Sequence, residues 1–210
     1  MNLQKTKQYL VPLTFGVFTM VALSAFADGR HHGPKVRESV EVSDLFAWGS
    51  TDKVNGAVTL IRDFRGRAVN VTVTTSAAAP DSANSIWVAV FNFPRFCIVA
   101  YRCSTMDIGS DERDPRAQPS VFWGGGFLAD SYGNANTSFR LVPGRTKREV
   151  FAGSDAGLIN LRGAEIHVVL RTHGPAGVAG PVADQIGTAA EACPMSGCVN
   201  EFFSLHPPRE

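Results

Sequence analysis

The stretch EIHVVLRTHGPAGVAGPV, from Glu165 to Val182, begins with alternating polar and apolar residues and ends in a segment rich in glycine and proline. Successive side chains of a β-strand point to opposite faces of the sheet, so Ile166, Val168 and Leu170 are expected to share one face. An apolar row of this kind is typical of the buried face of a strand. The glycines and prolines that follow predict tight turns. The stretch therefore predicts a half-buried strand followed by turns.

The opposite face of this strand carries polar groups that could form a site. The candidate binding residues are Glu165, His167, Arg171 and His173 of this segment, together with His206 near the C-terminal end. In one interpretation Glu165 pairs with a base on a neighbouring strand, and Arg171 binds a carboxylate or loop carbonyls. In a second, the face binds another ligand. In a third, histidines hold copper or zinc.

The metal interpretation is limited by the geometry of a strand. His167 and His173 lie six residues apart, which is about 20 Å along a straight strand. Both could reach one metal ion only if the chain turned back after Arg171. Otherwise a third group, such as His206, would have to join one of them.

Similar alternation recurs along the chain. AVNVTVTT, Ala68–Thr75, has valines at alternate positions, whereas SIWVAVFNF, Ser85–Phe93, is apolar almost throughout and predicts a central strand buried on both faces. VFWGGGFLA, Val121–Ala129, contains a triple glycine that indicates a bulge or a close backbone approach. About eight such segments, with short helical turns at most, predict an all-β fold, an antiparallel β-sandwich or barrel.

The first 27 residues have the layout of a cleavable signal peptide. Lys5 and Lys7 give a positive start, and the apolar stretch Tyr9–Leu23 follows. Ala25 and Ala27 provide the small residues before the cleavage position. Because the apolar stretch is shorter than the roughly 20 residues of a membrane span, we expect cleavage. The mature chain is then expected to be secreted or periplasmic, without a membrane span.

The mature chain is expected to consist of a flexible N-terminal segment, residues 28–38, and a single β-domain, residues 39–210. It carries 18 Lys and Arg residues against 19 Asp and Glu residues. This near-neutral balance lacks the basic excess of a general nucleic-acid-binding protein. The expected partner is therefore an unknown ligand of the cell envelope or the extracellular space.

Four cysteines follow the predicted signal peptide: Cys97, Cys103, Cys193 and Cys198. In an exported chain an even number of cysteines indicates disulfides, and four cysteines allow three pairings. We expect the local pairing, Cys97 with Cys103 and Cys193 with Cys198. A four-cysteine zinc site is the alternative, but the C-x5-C and C-x4-C spacings differ from its usual C-x2-C knuckle.

The sequence contains neither a G-x-S-x-G turn nor a pattern that indicates a reactive cysteine with a histidine. We therefore expect a non-catalytic binding or structural protein that needs no cofactor. The alternative function is a metal-binding protein or metal-dependent enzyme. It would use His167, His173 or His206 with copper or zinc.

The segment HGPAGVAGPV, His173–Val182, resembles the glycine- and proline-rich signature of CHRD-type domains, which are secreted β-rich domains. Residues 56–206 are also similar in pattern to uncharacterised secreted bacterial proteins, which share segments like WVAVFNFPRFC and LRGAEIHVVLRTHGPA. The resemblance implies an immunoglobulin-like or barrel-like sandwich with no established activity. It assigns no catalytic residues.

Overall fold

The computed structural model of the chain describes residues 38–65, 67–187 and 197–209. Within these ranges the chain forms nine β-strands, two short α-helices and three short 3-10 turns. The strands are β1 (Glu38–Ala47), β2 (Lys53–Asp63), β3 (Ala68–Thr75), β4 (Ser82–Phe91), β5 (Pro119–Leu128), β6 (Ala135–Leu141), β7 (Val150–Gly153), β8 (Glu165–Pro175) and β9 (Val199–His206).

The N-terminal predictions fall almost entirely on residues outside these ranges. The expected signal peptide, residues 1–27, lies outside the described residues, as do residues 28–37 of the expected flexible segment. Glu38, the last residue of that segment, is the first residue of β1. The sheet therefore begins one residue earlier than the predicted domain boundary.

All nine strands belong to one antiparallel sheet, which curls into a half-barrel in the order β6-β3-β2-β1-β9-β8-β4-β5-β7. The all-β antiparallel fold is thus confirmed. A sandwich, including its immunoglobulin-like form, has two separate sheets, whereas the described strands form one. The short ladder between β1 and β9 joins the two halves of this sheet. In it, Phe46 pairs with Phe203 and Ala47 pairs with Phe202.

The inner face of the curled sheet holds the main hydrophobic core. Ile166, Val168 and Leu170 of β8 are buried there, as their alternation predicts. Burying one such side chain stabilises the fold by about 1.5–3 kcal/mol. The same cluster contains residues of β2, β3 and β4, namely Val58, Leu60, Val69, Val71, Val73, Ile86, Val88 and Val90.

Strand β4 is buried on both faces, as its continuous apolar sequence predicts. Its inward residues belong to the core just described. Its outward residues Ala89 and Phe91 belong to a second cluster, which also contains Cys97 and Cys103. The outer face of the sheet is therefore partly covered by the segment that follows β4.

The two helices, α1 (Met106–Gly109) and α2 (Val182–Gly187), lie outside the sheet. Where α2 contacts β5, a Cβ atom on Gly126 would come within 2.2 Å of the carbonyl oxygen of Ile186. Only glycine allows so close an approach between backbones. The triple glycine therefore marks a close backbone approach. The register between β4 and β5 also shifts there, since Ile86 pairs with Gly125 and Trp87 with Trp123, so the predicted bulge is present as well.

A buried ion pair joins β1 and β2 at the edge of the core. Arg62 is fully buried, and its Nε donates to Glu41 Oε1 at 2.7 Å. Its Nη1 donates to the carbonyl oxygens of Leu161 at 3.0 Å and Ala164 at 2.9 Å. Its Nη2 donates to the carbonyl oxygen of Pro207 at 3.1 Å. A buried charge requires such pairing, so the guanidinium ties both strands to the turn before β8 and to the chain after β9.

Replacing the guanidinium (Arg62→Met) should lower the free energy of unfolding by about 3–5 kcal/mol, because Glu41 would stay buried without this partner. Urea denaturation followed by circular dichroism measures the change. The exposed pair of Lys53 and Asp44 joins the same two strands, so Lys53→Met is a matched control that should have little effect. Equal losses in the two variants would contradict the role assigned to Arg62.

Candidate functional site

The outer face of β4, β8 and β9 forms the floor of a pocket. Strand register arranges the outward side chains in cross-strand rows. Successive rows are two residues apart on each strand, so the spacing between rows is about 6.6 Å. The β-bulge of β9 is the exception. From the end next to the disulfide, the rows are Ala89, His167 and Leu205; then Trp87, Val169 and Phe203; then Ser85, Arg171 and Asn200.

The pocket has a volume of about 560 Å³, which is typical of small-molecule sites, and it is partly open to solvent. Its walls come from segments that are distant in sequence. Trp48 follows β1, Ile108 lies in α1 and Phe151 lies in β7. The lining is mainly apolar and aromatic, as in most ligand-binding pockets.

Aromatic rings meet edge to face at two places around the pocket. The ring centroids of Trp87 and Phe151 are 5.0 Å apart, and those of Trp48 and Phe203 are 5.9 Å apart. These geometries are favourable for aromatic pairs. Even so, Trp48 is 43% exposed and Phe151 is 45% exposed. Large apolar side chains clustered and exposed around a cavity indicate an interaction site.

The disulfide predicted between Cys97 and Cys103 is present, with Cα atoms 5.3 Å apart. Cys103 lines one wall of the pocket. Asp107 of α1 is buried and accepts hydrogen bonds from the backbone N–H groups of Ile98 at 2.6 Å and Ser104 at 2.8 Å. The covalent bridge and this carboxylate together fix the wall that follows β4.

Glu165 joins this wall to the floor of the pocket. Its Oε1 accepts a hydrogen bond from the backbone N–H of Cys103 at 3.0 Å and lies 2.6 Å from His167 Nε2. The His167 ring packs against Phe91, with ring centroids 4.9 Å apart. The prediction that Glu165 pairs with a base on a neighbouring strand is therefore wrong. Its partner is two residues along the same strand, where both side chains point outward.

Arg171 lies beside the other end of the pocket, next to the lining residues Trp87 and Asn200. Its Nη1 donates to Asn200 Oδ1 at 3.0 Å, and its guanidinium carbon lies 4.7 Å from the ring centroid of Trp87. Burial lowers the pKa of Arg171, because loss of water disfavours the charged form. The sequence suggested a carboxylate or loop carbonyls as partners. A side-chain amide and an aromatic face take their place.

His173 lies beside the pocket floor in a closed environment. It has no exposed surface, and its Nε2 lies 2.8 Å from Ser85 Oγ. Its Nδ1 lies 3.2 Å from Cys198 Sγ, and its backbone carbonyl accepts from Gln185 of α2 at 3.3 Å. Cys193, the predicted disulfide partner of Cys198, lies outside the described residues. A ligand in the pocket cannot reach the buried imidazole of His173.

His206 lies on the inner face of the sheet, because its register partner is Ile166 of the core. Its Nε2 is 3.2 Å from Ser204 Oγ, and its Nδ1 is 3.8 Å from Glu41 Oε2. Burial lowers the pKa of His206 to about 3, and the positive charge of Arg62 contributes. The three candidate histidines thus occupy separate environments. Within the described ranges, no cluster of three or more His, Cys, Asp or Glu side chains could hold a metal ion.

Most of the pocket residues were not among the candidates from the sequence. Trp48, Phe151 and Phe203 line the pocket but lie outside the conspicuous stretch Glu165–Val182. The available signal was the apolar sequence of β4. A strand that is apolar on both faces must be covered on both sides, but the sequence did not indicate which residues cover its outer face.

Comparison of the chain with protein-family models, curated proteins and solved structures gives no match. Among the described residues, no helix has the length and apolar composition needed to cross a bilayer. Functional inference therefore rests on the geometry of the pocket.

Acid should destabilise the protein partly through His206. In the folded state its imidazole stays neutral down to a pH of about 3, whereas an ordinary histidine in the unfolded chain takes up a proton near pH 6.5. The unfolded state therefore binds more protons in this window, and the free energy of unfolding should fall as the pH falls through it. Urea denaturation at several pH values should give a shallower dependence for His206→Gln. Parallel curves for the two proteins would contradict this assignment.

Removal of the carboxylate that bridges floor and wall (Glu165→Ala) should lower the free energy of unfolding by about 1–3 kcal/mol, because the Cys103 amide loses its buried acceptor. Hydrogen–deuterium exchange should accelerate selectively in residues 97–109. Glu149→Ala, at an exposed position in a short 3-10 turn, is the control. Unchanged exchange across residues 97–109 in Glu165→Ala would be inconsistent with the proposed bridge.

Proposed function

We propose that this protein is a non-catalytic binding protein that holds a small apolar molecule in the pocket on the outer face of β4, β8 and β9. The pocket itself carries the proposal, since its volume of about 560 Å³ is lined mainly by aromatic and aliphatic side chains. Removing apolar ligand surface from water contributes about 25 cal/mol per Å². A ligand with an apolar body therefore gains most from this lining.

The internal hydrogen bonds of the lining favour an apolar ligand over a sugar. Sugar hydroxyls lose free energy on desolvation unless they find hydrogen-bonding partners. Ser104 Oγ already donates to Asp107 Oδ2 at 3.1 Å, and Asn200 Oδ1 already accepts from Arg171 at 3.0 Å. The middle row of the floor, between these groups, consists of aromatic and aliphatic side chains.

The same contacts favour binding over nucleophilic catalysis. Such catalysis needs a serine or cysteine activated by an adjacent base. The sulfur of Cys103 is held in the disulfide, and the hydroxyl of Ser104 is bonded to Asp107. The Glu165 carboxylate, which could orient a base, bonds both His167 and the backbone that forms the wall.

We also propose that the protein is exported and acts in the cell envelope or outside the cell. The signal-like pattern of residues 1–27 supports this location, as does the Cys97–Cys103 bridge, because disulfides persist in oxidising compartments. The copper or zinc alternative has no comparable support in the separate environments of the three candidate histidines. The resemblance to CHRD-type domains stays a prediction and adds no ligand.

Binding of a neutral apolar probe tests the proposal. Isothermal titration calorimetry with 1-decanol should show saturable binding with a negative heat-capacity change, because apolar surface is buried. A larger side chain on the floor (Val169→Phe) should occupy part of the pocket. It should weaken binding about tenfold, which corresponds to about 1.4 kcal/mol.

A matched control separates pocket filling from a general effect of added apolar surface. Val42 on β1 is 68% exposed and lies outside the pocket lining, so Val42→Phe should bind 1-decanol as the parent does. No saturable binding to the parent would sink the proposal. Equal affinities of the parent and Val169→Phe would also overturn it.

A further inference from the structure

Arg171 is a cation beside the pocket, behind two lining residues, and it has no anionic partner among the described residues. Its guanidinium contacts Trp87 and Asn200, both of which line the pocket. In the described part of the chain, no Asp or Glu lies within salt-bridge distance of Arg171. A half-buried positive charge is stabilised by an anion more than an exposed charge is, because water screens it less.

The guanidinium also keeps hydrogen-bonding capacity. Arginine offers five N–H donors in a planar fork that fits a carboxylate. Nη1 donates to Asn200, and Nη2 makes no hydrogen bond with the described residues, whereas Nε is unpaired but too deeply buried for a ligand to reach. Glu201, the neighbouring carboxyl group on β9, has its pKa raised by burial and makes no ion pair with Arg171. An incoming anion would therefore find donors that are not yet satisfied.

The charged groups beside the two ends of the pocket differ in whether they are already paired. Glu165, at the disulfide end, is buried, and its Oε2 has no hydrogen-bonding partner among the described residues. Arg171 lies six residues further along β8, about 20 Å away along the strand. The floor between them is apolar, with Val169 next to Trp87 and Phe203. An anionic head group is therefore attracted to the end beside Arg171, whereas Glu165 at the other end is already in contact with His167 at 2.6 Å.

We propose that the ligand of this pocket is an amphipathic carboxylate. Its head group is bound by Arg171, and its apolar body lies along Trp87, Val169 and Phe203 toward the disulfide end. This inference rests on the proposed binding of an apolar molecule and adds the chemistry and orientation of its head group. Medium-chain fatty carboxylates and arylalkyl carboxylates both have this chemistry.

Decanoate and 1-decanol are the probes, because they share an apolar chain and differ in the head group. Calorimetric titration of the full chain at low salt should show decanoate binding about tenfold more tightly than 1-decanol, as expected for one partly screened charge-assisted pair. Added salt should weaken the binding of decanoate and leave that of 1-decanol nearly unchanged.

Three variants assign the difference to the guanidinium. Arg171→Met should lose the preference for decanoate and keep the affinity for 1-decanol. Arg171→Lys should keep part of the preference, because the charge remains without the planar fork. Arg148→Met, at an exposed position in the 3-10 turn of residues 146–149, is the control and should match the parent.

The outcomes separate this inference from the proposed function. If 1-decanol binds and decanoate binds no more tightly, the carboxylate proposal fails and the apolar pocket stands. A preference for decanoate that persists in Arg171→Met would also overturn the assignment to Arg171. If neither probe binds the parent, both proposals fail. Should Arg171→Met not fold, the ratio of the two affinities in the parent and in Arg171→Lys decides the question.

Discussion

The apolar character of β4 on both faces is the constraint on which the rest of the structure depends. One face is buried when the sheet curls and its two halves enclose the main core. The other face needs a second cover, since exposed apolar surface is unfavourable in water. The segment that carries the Cys97–Cys103 disulfide covers one end, and α2 lies over the other. The uncovered middle of the outer face is the pocket.

A few buried polar groups hold these covers in place. Arg62 satisfies Glu41 and three backbone carbonyl oxygens, two in the turn before β8 and one after β9, so it ties β1 and β2 to these two segments. Glu165 does the same for the pocket, because one carboxylate oxygen serves both His167 and the Cys103 amide. Each group is costly to bury alone and stabilising when its partners are present. The shape of the pocket therefore depends on buried polar groups as well as on apolar packing.

The sequence predicts which side chains of a strand share a face, because that property has a period of two residues and is local. Local patterns predicted three features: the inward row Ile166, Val168 and Leu170, the burial of β4 on both faces, and the Cys97–Cys103 bridge. Contacts between residues distant in sequence could not be predicted from local patterns. The single sheet depends on a ladder of two residue pairs between β1 and β9, and the Glu165 partner Cys103 lies 62 residues away.

The position of a bound ligand tests most directly whether the uncovered outer face of β4, β8 and β9 is a binding site. Nuclear Overhauser effects between decanoate and the protein would measure it. We expect contacts from the methylene chain to Val169 and Phe203, with the methylene next to the carboxylate near Trp87 and Asn200. Contacts confined to exposed positions on β1, such as Val40 and Val42, would contradict this expectation. So would a chain that runs in the opposite direction, with its head group at Glu165.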